Sequence, residues 1–234
     1  MAAVSNILFL VHRLPYPPNK GDKVRSYHLL RHLLKSHRVF LGTFIDDPED
    51  EQYLPVLRAL CPDLHVERLQ PRTAKIRSLS ALATGEALTL AYYRRSSLAA
   101  WVQGVAAQHD LRASVVFSSA MAPYAQALAP DVPMLVDFVD VDSAKWSQYA
   151  DKHRWPLSWL YRREGRTLLA YERAVAAQAR QSFFVPANEM DLFLRLAPEC
   201  TATVQAMSNG VDADFFAPDA ARPNPYSADE LPVV

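Results

Sequence analysis

Four basic side chains, Arg13, Lys20, Lys23 and Arg25, surround Gly21 in the stretch HRLPYPPNKGDKVR at residues 12–25. Pro15, Pro17 and Pro18 stiffen the approach by fixing φ. Gly21 can take a positive φ and lets a ligand come close to the backbone. Asp22 is expected to cap a helix starting at Lys23, whose free N–H groups would favour an anion. These residue types fit either a site for a phosphate-bearing ligand or a solvated turn between a strand and a helix.

A second group lies in VDFVDVDSAKWSQYA, residues 136–150. Asp137, Asp140 and Asp142 fall at or just past the end of an apolar run. A carboxylate there can orient a sugar hydroxyl, act as a general base, or cap the next helix. The spacing D-x-x-D-x-D lacks the glycine and distal glutamate of a calcium loop, so no metal site is expected. Lys145 and Trp146 follow, and the tryptophan suits either a sugar face or a gap in the core.

The third group is RLQPRTAKIRSLSALATGEALTLAYYRR, residues 68–95, with six basic residues against the single Glu86. Such a segment can dock on an anionic bilayer or form a solvated helical face. Arg154, Arg162, Arg163 and Arg166 raise the same question, with Glu164 and Glu172 as helix-spaced partners. Of the seven histidines, His12 is the best placed, at the end of the first apolar run. Ser118 and Ser119 end another run without a G-x-S-x-G elbow, in a segment that suits a cleft lining.

The elements that would hold these groups are legible as alternating strands and helices. Strands are read at residues 7–11, 38–44, 64–69, 114–119, 134–140, 182–187 and 202–207. Helical patterns fall between them. One has Val24, Tyr27, Leu30 and Leu34 on its buried stripe, others cover residues 49–60, 96–108, 121–129 and 188–196, and the longest covers residues 157–180. This order predicts an α/β protein: a Rossmann-like three-layer α/β/α arrangement on a mainly parallel sheet. Ligands of such sheets lie beyond the carboxyl ends of the strands, which singles out the loops after Val11, Phe44, Ser119, Asp140 and Ala187.

The chain has 234 residues and zero formal net charge, so bulk charge does not point to nucleic acid. Two cysteines in no metal-ligand spacing fit a reduced, cytoplasmic protein. No run is long enough for a membrane-spanning helix. After Met207 the composition changes to proline and small polar residues, read as a linker at 208–234 that ends in the apolar LPVV.

SNGVDADFFAPD, residues 208–219, resembles the N-G-V-D-x-x-x-F-x-P signature of family 4 retaining glycosyltransferases, which marks the crossing between the two Rossmann-like domains of a GT-B fold. RLPYPPNKGDKVRSYHLLRHLLKSHRV, VDFVDVDSAKW and YERAVA are similar to sugar transferases associated with exosortase and exopolysaccharide gene clusters. The resemblance implies that residues 1–207 are the acceptor-side, N-terminal half of a GT-B enzyme. It implies that residues 208–234 lead into a nucleotide-sugar-binding domain beyond this chain, without which the fragment is close to inactive.

The implied reaction moves a sugar, with retention, from a nucleotide diphosphate sugar to a lipid-linked or polysaccharide acceptor. No tightly bound cofactor and no metal are implied. By the same resemblance Lys20, Gly21, Asp22, Lys23 and Arg25 face the donor phosphates, and Asp137 and Asp140 face the transferring sugar. Arg13, Ser119 and Lys145 complete the expected acceptor contacts. The expected partners are the nucleotide sugar, the glycan or lipid-linked acceptor, the second domain and an anionic membrane surface on the inner face of the plasma membrane, with no nucleic acid. Two rival readings are a stand-alone module binding an anionic sugar or lipid head group, and a nucleotide-dependent oxidoreductase or epimerase. The single glycine after the first strand argues against the latter.

Overall fold

The computed structural model describes residues 5–211 together with Ala213 and Ala217. Most of the segment read as a linker, including LPVV, lies outside the described residues.

Strands and helices alternate in the order β1 (Ser5–Val11), α1 (Gly21–Leu33), β2 (His37–Ile45), α2 (Leu54–Leu60), β3 (Leu64–Arg68), α3 (Pro71–Ser78), α4 (Ala81–Thr84), α5 (Leu88–Tyr93), α6 (Ser96–Gln108), β4 (Leu111–Phe117), α7 (Ala122–Gln126), β5 (Met134–Val139), α8 (Asp142–Asp151), α9 (Leu157–Gln178), β6 (Gln181–Phe184), α10 (Ala187–Leu196) and β7 (Val204–Ala206). The seven strands form one sheet in the order β3-β2-β1-β4-β5-β6-β7. Every neighbouring pair is parallel.

The pleat of β1 explains the layering, because successive side chains of a strand point to opposite faces. Ile7, Phe9 and Val11 pack with Leu30 of α1 and Leu57 of α2 on one face. Leu8 and Leu10 pack with Leu98, Val102 and Val105 of α6 on the other. Both faces of the central strand are therefore dry, which is why ILFLV is apolar throughout. Farther along the sheet, Met134, Val136 and Phe138 of β5 share a core with Val175 of α9 and Phe193 of α10. Gly42 interrupts the apolar text of β2 for a packing reason. A Cβ there would lie 2.9 Å from Leu10 Cδ2 and 3.0 Å from both Leu98 Cδ1 and Trp101 Cζ3, so α6 seats against the strand only if that side chain is absent.

The winding reverses between β1 and β4. From β1 the chain steps outward through β2 to β3, then crosses back and steps the other way through β5, β6 and β7. This makes the protein an α/β, Rossmann-like three-layer fold on an all-parallel sheet, with its switch point above β1 and β4.

Several local expectations change. Gly21 has no positive φ; among the described glycines only Gly85 does. Gly21 is instead the first residue of α1, with Lys20 at the cap position and no side-chain cap bond. Asp22 is the second residue of the helix, in its first turn, where its Oδ1 accepts from the Lys23 amide at 2.9 Å and its Oδ2 from Arg13 at 2.9 Å. The buried stripe of α1 is Lys23, Ser26 and Leu30, while Val24 is 39% exposed. The helix expected at 49–60 opens as a 3-10 turn over Pro48–Tyr53 before α2.

Glu164 and Glu172 do not pair with the arginines of their own helix. Both are buried and reach across to other helices. Glu164 accepts from the amides of Leu88 and Thr89 at the start of α5, and Glu172 from the amide and hydroxyl of Ser143 at the start of α8. A carboxylate at a helix N-terminus meets free N–H groups and the positive end of the dipole.

Candidate functional site

A cleft of about 640 Å³ opens at the carboxyl ends of β1, β4 and β5, at the switch point. His12 follows β1, Ser118 follows β4, Val139 ends β5 and Asp140 follows it. Asp22 of α1 and Asp142 and Lys145 of α8 close the polar side. Tyr92 and Tyr93 of α5, Trp146 of α8 and Tyr161 of α9 make the walls.

The floor is strained where it meets the cleft. Ser118 has φ 76° and Val139 has φ 69°. Neither is glycine, and a β-branched residue in that region is a marked outlier. Such positions cost about 1–3 kcal/mol each and persist only where surrounding contacts over-determine them. Here Asp137 supplies those contacts. Its carbonyl accepts from the Ser118 amide at 2.8 Å, and its Oδ1 accepts from the Val139 amide at 3.2 Å. The register of β5 against β6 shifts between Asp137 and Val139, so a bulge turns the strand end and presents Asp140 to the cleft.

Asp137 is itself held. It is 2% exposed, and its Oδ2 accepts from Arg25 Nε at 2.7 Å. Burial pushes its carboxyl up from the ordinary range, and the Arg25 guanidinium pulls against this without cancelling it. Arg25 also donates to Asn209 Oδ1 at 2.9 Å, drawing the segment after β7 toward the same corner.

His12 is the polar group most open to chemistry. Its ring stacks on Phe117 and meets Tyr93 edge-on. Nε2 stands 3.8 Å from Asp22 Oδ2, and Nδ1 is buried with no hydrogen-bond partner. Burial first, then the neighbouring Arg13 charge, pushes its pKa below the ordinary 6.5, so the ring is neutral at pH 7. A neutral imidazole beside a carboxylate can accept a proton from a hydroxyl or align one. Lys145 Nζ lies between Asp140 Oδ2 at 2.8 Å and Asp142 Oδ1 at 3.1 Å. Burial opposes its charge, but Asp142 and Asp140 outweigh that and hold the ammonium above its ordinary pKa.

The expected site residues separate into those at the cleft and those behind it. Asp22, Asp140 and Lys145 line it. Asp137 and Arg25 sit behind the floor as a buried pair. Arg13 is taken up by Asp46 and Asp22. Lys20 and Gly21 are exposed at the start of α1. Lys23 is 1% exposed, gives its ammonium to Asp50 at 2.6 Å and does not line the cleft. Ser119 is buried in a short 3-10 turn, and its neighbour Ser118 is the serine that reaches the cleft. His12 was legible from its place at a strand end. Tyr92, Tyr93 and Tyr161 were not, because their convergence depends on how α5 and α9 pack. Among the described residues, no group of three or more His, Cys, Asp or Glu side chains could hold a metal ion. Likewise, no helix among them is long and apolar enough to cross a membrane.

Fold and site together define a doubly wound α/β protein with an aromatic-walled cleft over its switch point. No family model matches the chain, and no curated protein matches it. Among the solved structures that resemble it are two of known description. One is the N-terminal domain of Candida albicans trehalose-6-phosphate phosphatase, with a TM-score of 0.49 and 13% identity over 91% of this chain and 50% of that one. The other is a UGT of Glycyrrhiza uralensis complexed with glycyrrhetinic acid 3-O-monoglucuronide, with a TM-score of 0.46 and 11% identity over 90% of this chain and 49% of that one. The chain thus spans about half the length of the solved structures it matches. At these scores and identities neither likeness assigns a role to any residue.

Proposed function

We propose that the chain is the acceptor-side domain of a sugar-transferring enzyme of the GT-B type, most similar in its motifs to family 4 retaining glycosyltransferases. The donor is a nucleotide diphosphate sugar, and the acceptor a lipid-linked or polysaccharide glycan of the cell surface. The observation that carries this reading is the cleft at the switch point, where a neutral His12 beside Asp22 faces Asp140 and Lys145 between aromatic walls.

In this reading the acceptor enters the cleft and His12 orients its attacking hydroxyl. Asp140 and Asp142 accept hydrogen bonds from sugar hydroxyls, and Lys145 bridges those two carboxylates. Lys20 and the free amides of the first turn of α1 offer positive potential to a donor diphosphate, as preorganised donors aimed at a leaving group do. Arg25 and Asp137 act as positioning residues that hold the bulge of β5. A second domain closing over this rim would bring most of the contacts to the nucleotide, and the chemistry would take place at the cytoplasmic side of the membrane.

The test is transfer of labelled sugar by the complete gene product from a panel of nucleotide diphosphate sugars to a polyprenyl-linked glycan. His12→Ala and Asp140→Asn are expected to lower kcat/KM by roughly 10²–10⁴, the range for loss of a general base or a polar contact to the reacting group. Transfer that persists at the native rate in both variants would remove the assignment.

A further inference from the structure

Of the twelve large apolar side chains exposed among the described residues, seven lie on the two segments flanking the cleft. On one side are Ile76, Leu79 and Leu82 of α3 and α4, with Ile76 72% exposed. On the other are Tyr149, Trp155, Leu157 and Trp159, at the end of α8 and the start of α9, with Trp155 79% exposed. Both segments border the same cavity, since Leu79 and Ser78 line it from one side and Trp146, Leu160 and Tyr161 from the other. They are also bolted together. Arg163 of α9 donates to the carbonyls of Ala81 and Glu86, and Glu164 holds the first amides of α5.

The exposed charge on this lip is predominantly basic. Arg72, Lys75 and Arg77 are exposed on α3. Lys152, Arg154, Arg162 and Arg166 are exposed across the cleft, where Asp151 is the one exposed acid between residues 149 and 166. A protein partner can match an apolar patch or a basic patch. Exposed tryptophans and aliphatic side chains interleaved with lysine and arginine around an open cavity match the interfacial zone of an anionic bilayer, where indole rings sit at headgroup level and basic side chains meet acidic lipid.

We propose that this lip is a bilayer-docking surface, which seats the mouth of the cleft against anionic lipid and admits an amphiphilic acceptor from the membrane side. The aromatic walls running inward from the lip, Tyr92, Trp146 and Tyr161, suit the apolar part of such a molecule. The identity of the acceptor rests on the transferase reading; the docking does not.

The test is co-flotation of the 234-residue chain with phosphatidylcholine vesicles containing phosphatidylglycerol, against phosphatidylcholine alone. Tryptophan emission in the presence of brominated lipid is read in parallel. Docking predicts recovery with the anionic vesicles, loss of that recovery in high salt, and quenching of the exposed tryptophans. The double variants Trp155→Ser with Ile76→Ser, and Arg72→Glu with Arg154→Glu, are each expected to weaken partitioning roughly tenfold or more. All four positions are exposed, and circular dichroism checks that the fold is retained. Equal recovery on both vesicle types, or recovery unchanged in both double variants, would overturn the proposal. So would sedimentation showing a dimer that Trp155→Ser dissolves, since the lip would then face a second copy. Vesicle docking without sugar transfer would sink the transferase reading alone, and transfer without docking the present one alone.

Discussion

Arg25 on α1 and Asp137 on β5, 112 residues apart in sequence, are joined at 2.7 Å inside the protein. The pair links the helix that begins at the cleft to the strand that ends there. Through Asp137 it also stabilises two backbone outliers, Ser118 and Val139.

Removing one partner leaves the other charge buried and alone. Asp137→Ala is expected to cost about 3–5 kcal/mol in urea denaturation, the usual range for a broken buried pair. Asp137→Asn keeps an acceptor for the Val139 amide and should cost clearly less. Equal losses in the two variants would show that the carboxylate does not organise the strand end.

Two helical glycines make opposite forecasts from one substitution. Gly104 in α6 has open space where a Cβ would be, and Gly165 in α9 does not. At Gly165 a Cβ would lie 2.6 Å from Ser147 Oγ and 3.0 Å from the Ser143 carbonyl, so α8 packs directly on the bare backbone. Gly104→Ala should raise stability by about 0.5–1 kcal/mol through helix propensity. Gly165→Ala should lower it by about 1–3 kcal/mol, because overpacking exceeds the propensity gain. Thermal melts of the two variants decide this.

Glu172 gives stability a pH slope. Burial pushes its carboxyl up to about 8, against the bonds from Ser143. The unfolded chain ionises near the ordinary 4.5, so the folded state holds the proton more tightly. Its contribution to stability is fully present below pH 4.5 and is lost as pH rises toward 8. Glu172→Gln, neutral at every pH, should flatten the decline in stability between those limits. A variant with the native slope would show that Glu172 is not its source.

His12 should titrate below its ordinary 6.5, because burial and Arg13 disfavour the imidazolium. Proton NMR of its ring follows this directly. In the complete enzyme the acid limb of kcat/KM should fall with the same midpoint, since the charged ring cannot accept a proton. Asp22→Asn removes a charge that raises the pKa and should lower the midpoint further. A midpoint at or above 6.5 would remove the case for a neutral ring.

The sheet was legible because its strands are short runs of β-branched and aromatic residues between helical periods, a pattern that survives without tertiary information. The corners of the site were less so. Lys23 looks like a phosphate ligand in sequence, yet it meets Asp50 27 residues away and is buried. Glu164 and Glu172 look like partners of nearby arginines, but free amides on other helices compete for them. Nothing local marks Val139 for a positive φ, because a valine adopts it only when the bulge beside Asp137 compels it. The three short helices α3 to α5 were blurred into one basic segment, since none is long enough to display a full hydrophobic period.

The claim that matters most is that the cleft over β1, β4 and β5 holds the acceptor. Titrating the isotopically labelled chain with a short-chain prenyl diphosphate sugar tests it by amide shift mapping. Saturable shifts should centre on His12, Ser118 and residues 139–146. Shifts confined to β6 and β7, or none at millimolar ligand, a concentration at which even weak sites fill, would mean that the cleft is not the acceptor site.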